Sequence, residues 1–423
     1  MLIQFNFKNF KSFKDEVSLD LTATKITEHN DHVMEVANDK LLKVAAIYGA
    51  NASGKSNIYE AFEFMSYYVL ESFKFGGDAG NKKKTEYRYT KVTPFLFNSK
   101  SKDQESTFEV FFTDGLDSKQ KSYQYGFSIN QEEILEEWLF YKTKTSREYR
   151  TLFYRKGREI DFVGITKSSA DNIKVALEKE TLIVSLGAKL KVTKLKLVRD
   201  WFINNEIVNY GSPEENLYRS FMLPHNFTND KNVQNKVIKF FNSFDDSIKG
   251  FNVEKVNDDV EKADEQYRID TVHKMNDTSE IVSIPLDSES SGTLKMFSIF
   301  PSIQEVFDIG SVLFVDELNS RLHPLLVRNI ILSFLDPTIN TKNAQLIFTT
   351  HDIWQLSNDL LRRDEIWFVE KDSDGISSLY SLSDFTDDNG AKIRKDENYT
   401  KNYLTGKYGA IPRLKSFDIF KEE

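Results

Sequence analysis

The chain contains no cysteine in 423 residues. That excludes disulfides, thiolate metal sites, iron–sulfur clusters and a cysteine nucleophile. Histidine is scarce: there are six, scattered, with no pair at H-x3-H spacing, so zinc-type catalysis has no support. Ser-His-Asp catalysis has none either. No run of about 18 apolar residues occurs, so no segment is expected to span a membrane. The first residues, MLIQFNFKNFKSF, alternate apolar with polar and have no signal-peptide h-region. A soluble, cytoplasmic protein is the expectation. Low-complexity linkers, internal repeats and sustained heptads are also missing, which argues against a long coiled coil.

Apolar residues make up 40% of the chain and include 34 Phe, enough for a sizeable core and against disorder. The length fits two or three domains, or one large domain with an insertion. The formal net charge is −9, but it is uneven. Between Lys142 and Arg199 stand fifteen Lys or Arg and six Asp or Glu, a local +9, which leaves −18 for the rest. Such asymmetry marks either a polyanion-binding region or a solvated lysine-rich face. Tyr149, Phe153 and Tyr154 interleave with Arg147, Arg150, Arg155 and Arg158. That pattern suits stacking on nucleic acid or contact with an acidic partner.

A first strand is read at Leu2 to Phe7, with Ile3, Phe5 and Phe7 on one face. Val44 to Tyr48 forms a second apolar run, and Ile58, Phe62, Met65 and Val69 then recur at helical spacing. Period-two alternation in TFEVFF (Phe108, Val110, Phe112) and YQYGFSI (Tyr123, Tyr125, Phe127, Ile129) predicts an antiparallel meander. In the middle, TLIVSLGAKLKVTKLKLVRDWF and NVQNKVIKFFNSF read as helices. The last third returns to short buried strands at 312–315, 345–349 and 366–369, with helical patterns between them, which implies a largely parallel sheet.

Between the second apolar run and the first helix lies Gly49-Ala-Asn51-Ala-Ser53-Gly54-Lys55-Ser56, followed by Asn57. It satisfies G-x-x-x-x-G-K-[ST] in a strand–loop–helix context. Glycines let backbone N–H groups wrap a phosphate at a helix start. Lys55 is then expected to reach the β/γ-phosphates and Ser56 to ligate Mg²⁺. VLFVDE at 312–317 fits a Walker B strand, with Asp316 in the Mg²⁺ shell and Glu317 activating the attacking water. Glu289-Ser290-Ser291-Gly292-Thr293 opens an apolar helix and offers a hydroxyl and free N–H groups to an anion, although read by itself it is an N-cap. His351 follows the strand QLIFTT, where it can hydrogen-bond a γ-phosphate or serve structurally.

In this order the motifs resemble those of ABC-type ATPases, in the SMC-like branch. Ser290, Gly292 and Thr293 stand at the positions of the Ser, second Gly and Gln of the LSGGQ signature. Glu289, Ser291 and Thr293 depart from its Leu, first Gly and Gln. His351 matches the switch histidine. KNFKSFKD, ESSGTLKMF, DELNSRLHP, TTHD and NYLTGKYGAIPRL narrow the resemblance. They are similar to bacterial AAA-type ATPases of abortive-infection and overcoming-lysogenization-defect (OLD) systems, nearest the stand-alone RloA, AbiL and AriA kind. The likeness covers roughly residues 1–130 and 280–420.

This resemblance implies an α/β fold: a P-loop NTPase of ABC/SMC-head type with an antiparallel β subdomain and a mainly helical insertion. The expected division is 1–135 and 276–423 for the two parts of the head and 136–275 for the basic insertion. It also implies ATP and Mg²⁺ between subunits of a homodimer or larger homo-oligomer, a separately encoded nuclease or Toprim-type effector, and a role in phage defence. Catalysis would fall to Glu317, His351 and Lys55. Gly49, Asn51, Ser53, Gly54, Lys55, Ser56, Asn57, Ser290, Gly292 and Thr293 would bind nucleotide, and Ser56 and Asp316 the metal.

Asn319 stands where many relatives carry Asp. His323 sits where a D-loop would meet the partner, or simply starts a helix. Gln104 lies in the stretch of a Q-loop glutamine, although no motif assigns it. Alternatives are a RecF/SMC-like DNA-repair ATPase, a transporter nucleotide-binding subunit, and a slow-turnover nucleotide-gated scaffold or antitoxin. Glu370-Lys-Asp372-Ser-Asp374-Gly mimics a Toprim metal site, but Asp-Gly after a strand is the ordinary hairpin signal.

Overall fold

The computed structural model describes residues 1–412 except 37–38, 76–90, 114–120, 147, 221, 256–266, 279, 387–389 and 391. Arg147 therefore lies outside the described residues.

Two large sheets dominate. The first is antiparallel and has seven strands. β1 (Leu2–Lys8) and β2 (Val17–Asp20) pair at one end. Chain order then skips β3 (Val33–Val36), β4 (Asp39–Leu42) and β5 (Val44–Gly49). The meander follows as β6 (Ser106–Thr113), β7 (Ser122–Ile129), β8 (Ile134–Lys142), β9 (Arg150–Lys156) and β10 (Glu159–Phe162). The spatial order is β10-β9-β8-β7-β6-β1-β2. Phe108, Val110, Phe112, Tyr123, Tyr125, Phe127 and Ile129 are all buried, as the alternation requires. The first strand differs from expectation. A bulge between Leu2 and Gln4 slips the register, so Leu2 joins Phe5 and Phe7 in the main core. Ile3 instead faces the other way, against Met34 and Leu41.

The second sheet adds β11 (Glu206–Asn209), β15 (Val312–Asp316), β16 (Gln345–Thr350), β17 (Ile366–Lys371) and β18 (Ser377–Ser381) to β5. Its order is β11-β15-β16-β5-β17-β18, parallel except for β18. Between β11 and β15 the chain also forms a small antiparallel sheet of β12 (Ile248–Lys255), β13 (Tyr267–Lys274) and β14 (Ile281–Pro285).

The parallel sheet is apolar on both faces because both are covered. Ala45, Ile47, Phe314 and Ile347 meet helix α1 (Lys55–Glu71) and, beyond it, the antiparallel sheet. Phe62 joins the layers, with its ring 5.2 Å from Phe5 and 5.5 Å from Phe314.

The middle of the chain holds α2 (Lys167–Ala176), α3 (Ile183–Lys189), α4 (Thr193–Ile203), α5 (Pro213–Ser220) and α6 (Lys231–Phe241). The helices expected from its periodicity are there. Strands are there too: the 135/136 border falls inside β8, and 275/276 separates β13 from its partner β14. Residues 136–275 are thus woven into every large sheet. The second face of the parallel sheet is covered by α7 (Ser291–Ile309) and α8 (Pro324–Leu335), and α9 (Tyr399–Leu404) packs near its edge. No described helix is long and apolar enough to cross a membrane.

Candidate nucleotide site

The chemistry-bearing residues gather at the C-terminal ends of the parallel strands, where open α/β sheets hold ligands. Asn51, Gly54, Lys55, Ser56, Asn57, Glu317 and His351 line one depression of about 390 Å³. Lys371 joins them and was not foreseen. β16 lies between the strands bearing the P-loop and Glu317, so His351 at its end sits between them in the sheet order.

Two residues of the loop sit in the left-handed region. Ala52 and Gly54 have positive φ, 63° and 114°. A Cβ at Gly54 would lie 2.6 Å from Ser377 Oγ and 2.8 Å from Ser12 Oγ, so only glycine fits. Those hydroxyls form a relay. Asn57 Nδ2 donates to Ser12 Oγ (2.6 Å), Ser12 and Ser377 share a hydrogen bond (2.8 Å), and Ser377 donates to the Ser53 carbonyl (2.6 Å). Ser53 Oγ is buried without a partner. Lys55 donates to the carbonyls of Gly49 (2.8 Å) and Ala50 (3.0 Å). Burial lowers its pKa, opposed by Asp316 and Glu317.

Asp316 accepts from Thr349 Oγ1 at 2.5 Å and from the Ser56 hydroxyl. Burial raises its pKa, while those two hydrogen bonds pull the other way. Thr349 Oγ1 also accepts from the Glu317 amide (2.9 Å), so one threonine orients both acids. Glu317 has φ 56°, and its carboxylate lies against Gly211, where a Cβ would come within 2.7 Å of Oε2. Thr350 donates to Asn319 Oδ1 (2.8 Å), and the Asn319 amide donates to His351 Nε2 (3.3 Å). Asn319 thus orients the histidine of its own chain. Thr349 and Thr350 belong to the quoted TTHD motif. Ser12, Ser377 and Gly211 had no local signal.

Ser290, Gly292 and Thr293 do not line this depression. Ser290 caps α7: its Oγ accepts from the Thr293 amide (3.1 Å) and bonds the Thr293 hydroxyl (2.7 Å). Glu289 is tied to His273 (2.8 Å) and to Thr271, which anchors this helix start on β13. Gly292 faces open space, with only Ser290 Oγ, at 3.8 Å, near an added Cβ. His323 caps α8, its Nδ1 accepting from the Leu325 amide (3.2 Å). Gln104 offers its carbonyl to Asn9 and does not line the depression.

Two further expectations meet the structure. Asp372 Oδ1 accepts from the amides of Asp374 (2.9 Å) and Ile376 (2.8 Å) in the β17–β18 hairpin, so that pair makes a turn. The aromatic–arginine surface is corrected. Phe153 is buried, and Arg155 is 4% exposed, donating to the Thr181 carbonyl (2.7 Å) beside Glu137. Inward pointing on β9 removes both from any polyanion, while Arg150 and Arg158 remain exposed.

A phosphate loop ending a parallel strand, a paired acid two strands away in the same sheet and an antiparallel sheet over the P-loop helix define a P-loop NTPase of the ABC/SMC-head type. Residues 44–353, over half of the chain, match the family described as "AAA domain, putative AbiEii toxin, Type IV TA system", and the chain belongs to that family. No curated protein matches it. Among solved structures it is similar to the SMC head bound to the C-winged helix domain of ScpA, at 13% identity and TM-score 0.45, over 90% of this chain and 97% of that one. It is also similar to a Pyrococcus furiosus-derived SMC head domain with an extended coiled coil, bound to the C-terminal domain of ScpA, at 13% identity and TM-score 0.42, over 90% and 96%. Likeness that distant assigns no partner or activity to this chain.

Proposed function

We propose that the chain binds and hydrolyses ATP to ADP and phosphate as a nucleotide-driven switch in bacterial anti-phage defence, restraining or releasing a separate effector such as a nuclease. The observation carrying the ATPase reading is the convergence of Lys55, Ser56, Glu317 and His351 on one depression. The defence role rests on the family and on the motif resemblance.

The residues fit the nucleotide and its metal. Ser53 Oγ is an orphan inside the loop, and Lys55 has only backbone carbonyls to leave. Ser56 and Asp316 would hold Mg²⁺, which supplies neutralisation of phosphate charge. Lys55 would bind the β- and γ-phosphates. Glu317 would take the proton as water's oxygen attacks the γ-phosphorus, and His351, steadied by Asn319, would bond a γ-phosphate oxygen. The helix start at Ser290–Thr293 would serve a second copy's nucleotide, so γ-phosphate loss would loosen the pair.

The test is Glu317→Gln in the full chain. Nucleotide binding should persist, turnover should fall by about 10²- to 10⁴-fold, and ATP should drive a dimer visible by sedimentation. Wild-type turnover in this variant would overturn the assignment.

A further inference from the structure

We propose a second, metal-binding site remote from the P-loop, built by His29, Asp31 and His32 and suited to a borderline divalent transition ion of the Zn²⁺ kind. One ring nitrogen of each histidine and a carboxylate oxygen of Asp31 all lie within 4.8 Å of one another. Two imidazoles and one carboxylate form a nitrogen-rich donor set that suits such ions rather than Mg²⁺ or Ca²⁺. Three protein ligands leave a fourth position for water.

The surroundings favour this reading over a chance cluster. His32 is 5% exposed, and its Nδ1 lies 3.0 and 3.2 Å from the two oxygens of buried Glu365. A carboxylate can only accept, so the proton sits on Nδ1 and Nε2 keeps its lone pair. His29 Nε2 lies 2.9 Å from the Asn358 carbonyl, which likewise puts its proton there and leaves Nδ1 as the donor atom. Metal-ligating histidines typically hand their other N–H to a carboxylate or a carbonyl, and here both do. Among the described residues, no hydrogen bond or ion pair takes the Asp31 carboxylate. Lys43 donates to the Asp31 carbonyl (3.0 Å) instead.

The backbone is arranged to match. His29 is held in the left-handed region (φ 49°), and Asn30–His32 form one tight turn that brings the three ligands together. The two rings now stack with centroids 4.7 Å apart, so one must turn about its hydrogen bond for both lone pairs to meet a single ion. The site joins this turn to the segment leading into β17, where Arg362 also grips the Glu28 carbonyl (2.7 Å). An ion there would staple the N-terminal arm to the P-loop sheet. Tetrahedral ligation needs donors about 3.4 Å apart, so the turn must close by at most about 1.4 Å. The spacing H-x-D-H carries no signal in the sequence, because Glu365 and Asn358, which set the ring protons, are over 300 residues away.

The test uses untagged full-length protein without nucleotide, titrated with Zn²⁺ by calorimetry and with Co²⁺ by visible absorption. The expected result is one ion per chain and a low-coordinate Co²⁺ spectrum. His29→Gln and Asp31→Asn, both outside the buried core, should each weaken binding at least tenfold with ATPase rate unchanged. Glu365→Gln should weaken it about 10- to 100-fold. His32 is buried, so His32→Gln would disturb the fold itself, and the two surface variants decide. Absence of Zn²⁺ binding would overturn the site, as would an affinity unmoved in the His29→Gln/Asp31→Asn double variant.

Discussion

The P-loop and the start of α7 both present backbone N–H groups at a helix N-terminus, yet they are built in opposite ways. The P-loop is gripped from outside: Ser12 from the β1–β2 connection, Ser377 from β18 and the Thr349-held acids all press on it. It carries strain at Ala52, and strain recurs at Glu317. The start of α7 is capped by its own Ser290, anchored by Glu289, and leaves Gly292 facing outward. On the proposed reading, the externally braced loop would hold a ligand of its own chain, and the self-capped, outward helix start would meet a ligand brought by another.

The sharpest way to break this contrast is Lys55→Ala. If the P-loop holds the chain's own nucleotide, ATP affinity should fall by at least about a hundredfold, well beyond the loss of one charged hydrogen bond. Equilibrium binding with a fluorescent ATP analogue reads this directly, and unchanged affinity would make the braced loop structural.

Mixing comes next in size. Lys55→Ala and Gly292→Asp should each be inactive alone. In a head-to-tail pair, one site joins the intact P-loop of one variant to the intact helix start of the other. Activity should therefore return in part on mixing and rise steeply with protein concentration. If both sites must fire together, a covalently linked dimer with one intact site is the control. Full activity in a protein that stays monomeric would end the contrast.

The α7 side also carries a titration signature. Lys295 is buried with its ammonium 3.7 Å from the Tyr210 ring centroid. Burial, then the Arg321 and Arg219 cations, lower its pKa from 10.5 to about 7. The folded state therefore prefers the neutral amine. Its penalty is absent above pH 10.5, grows as pH falls, and is complete near pH 7. Lys295→Met should flatten this dependence and raise stability at pH 7 by on the order of 2 kcal/mol. Thermal melts across pH 7 to 9.5 would show it, and parallel curves for both proteins would refute it.

The smallest effect tests the bracing. Ser12→Ala removes one link of the relay and should cost about 1 kcal/mol of nucleotide affinity, roughly fivefold, with little change in melting temperature. An effect on stability alone would mean that Ser12 supports the fold and not the loop.

Much of this was legible in the linear pattern. The P-loop is a single eight-residue unit whose geometry is local, so its strand, turn and helix could be read together. The Walker B strand and TTHD were equally contiguous. Alternation placed the inward faces of β6 and β7 correctly. It failed at Ile3 because one bulge reverses every side chain beyond it. It failed again at Arg155, where residue type suggests a surface and the strand register dictates a burial.

What folding added lies at long range. Ser12 and Ser377 are 365 residues apart and meet at one glycine. Gly211 makes room for Glu317 from across the sheet, and Glu365 sets the proton on His32. A loop that wraps phosphate is written in consecutive residues because its donors are its own backbone. The groups that brace it, orient its acids and tune distant histidines are supplied by whichever strands happen to be neighbours, and strand order is a property of packing that no local pattern encodes.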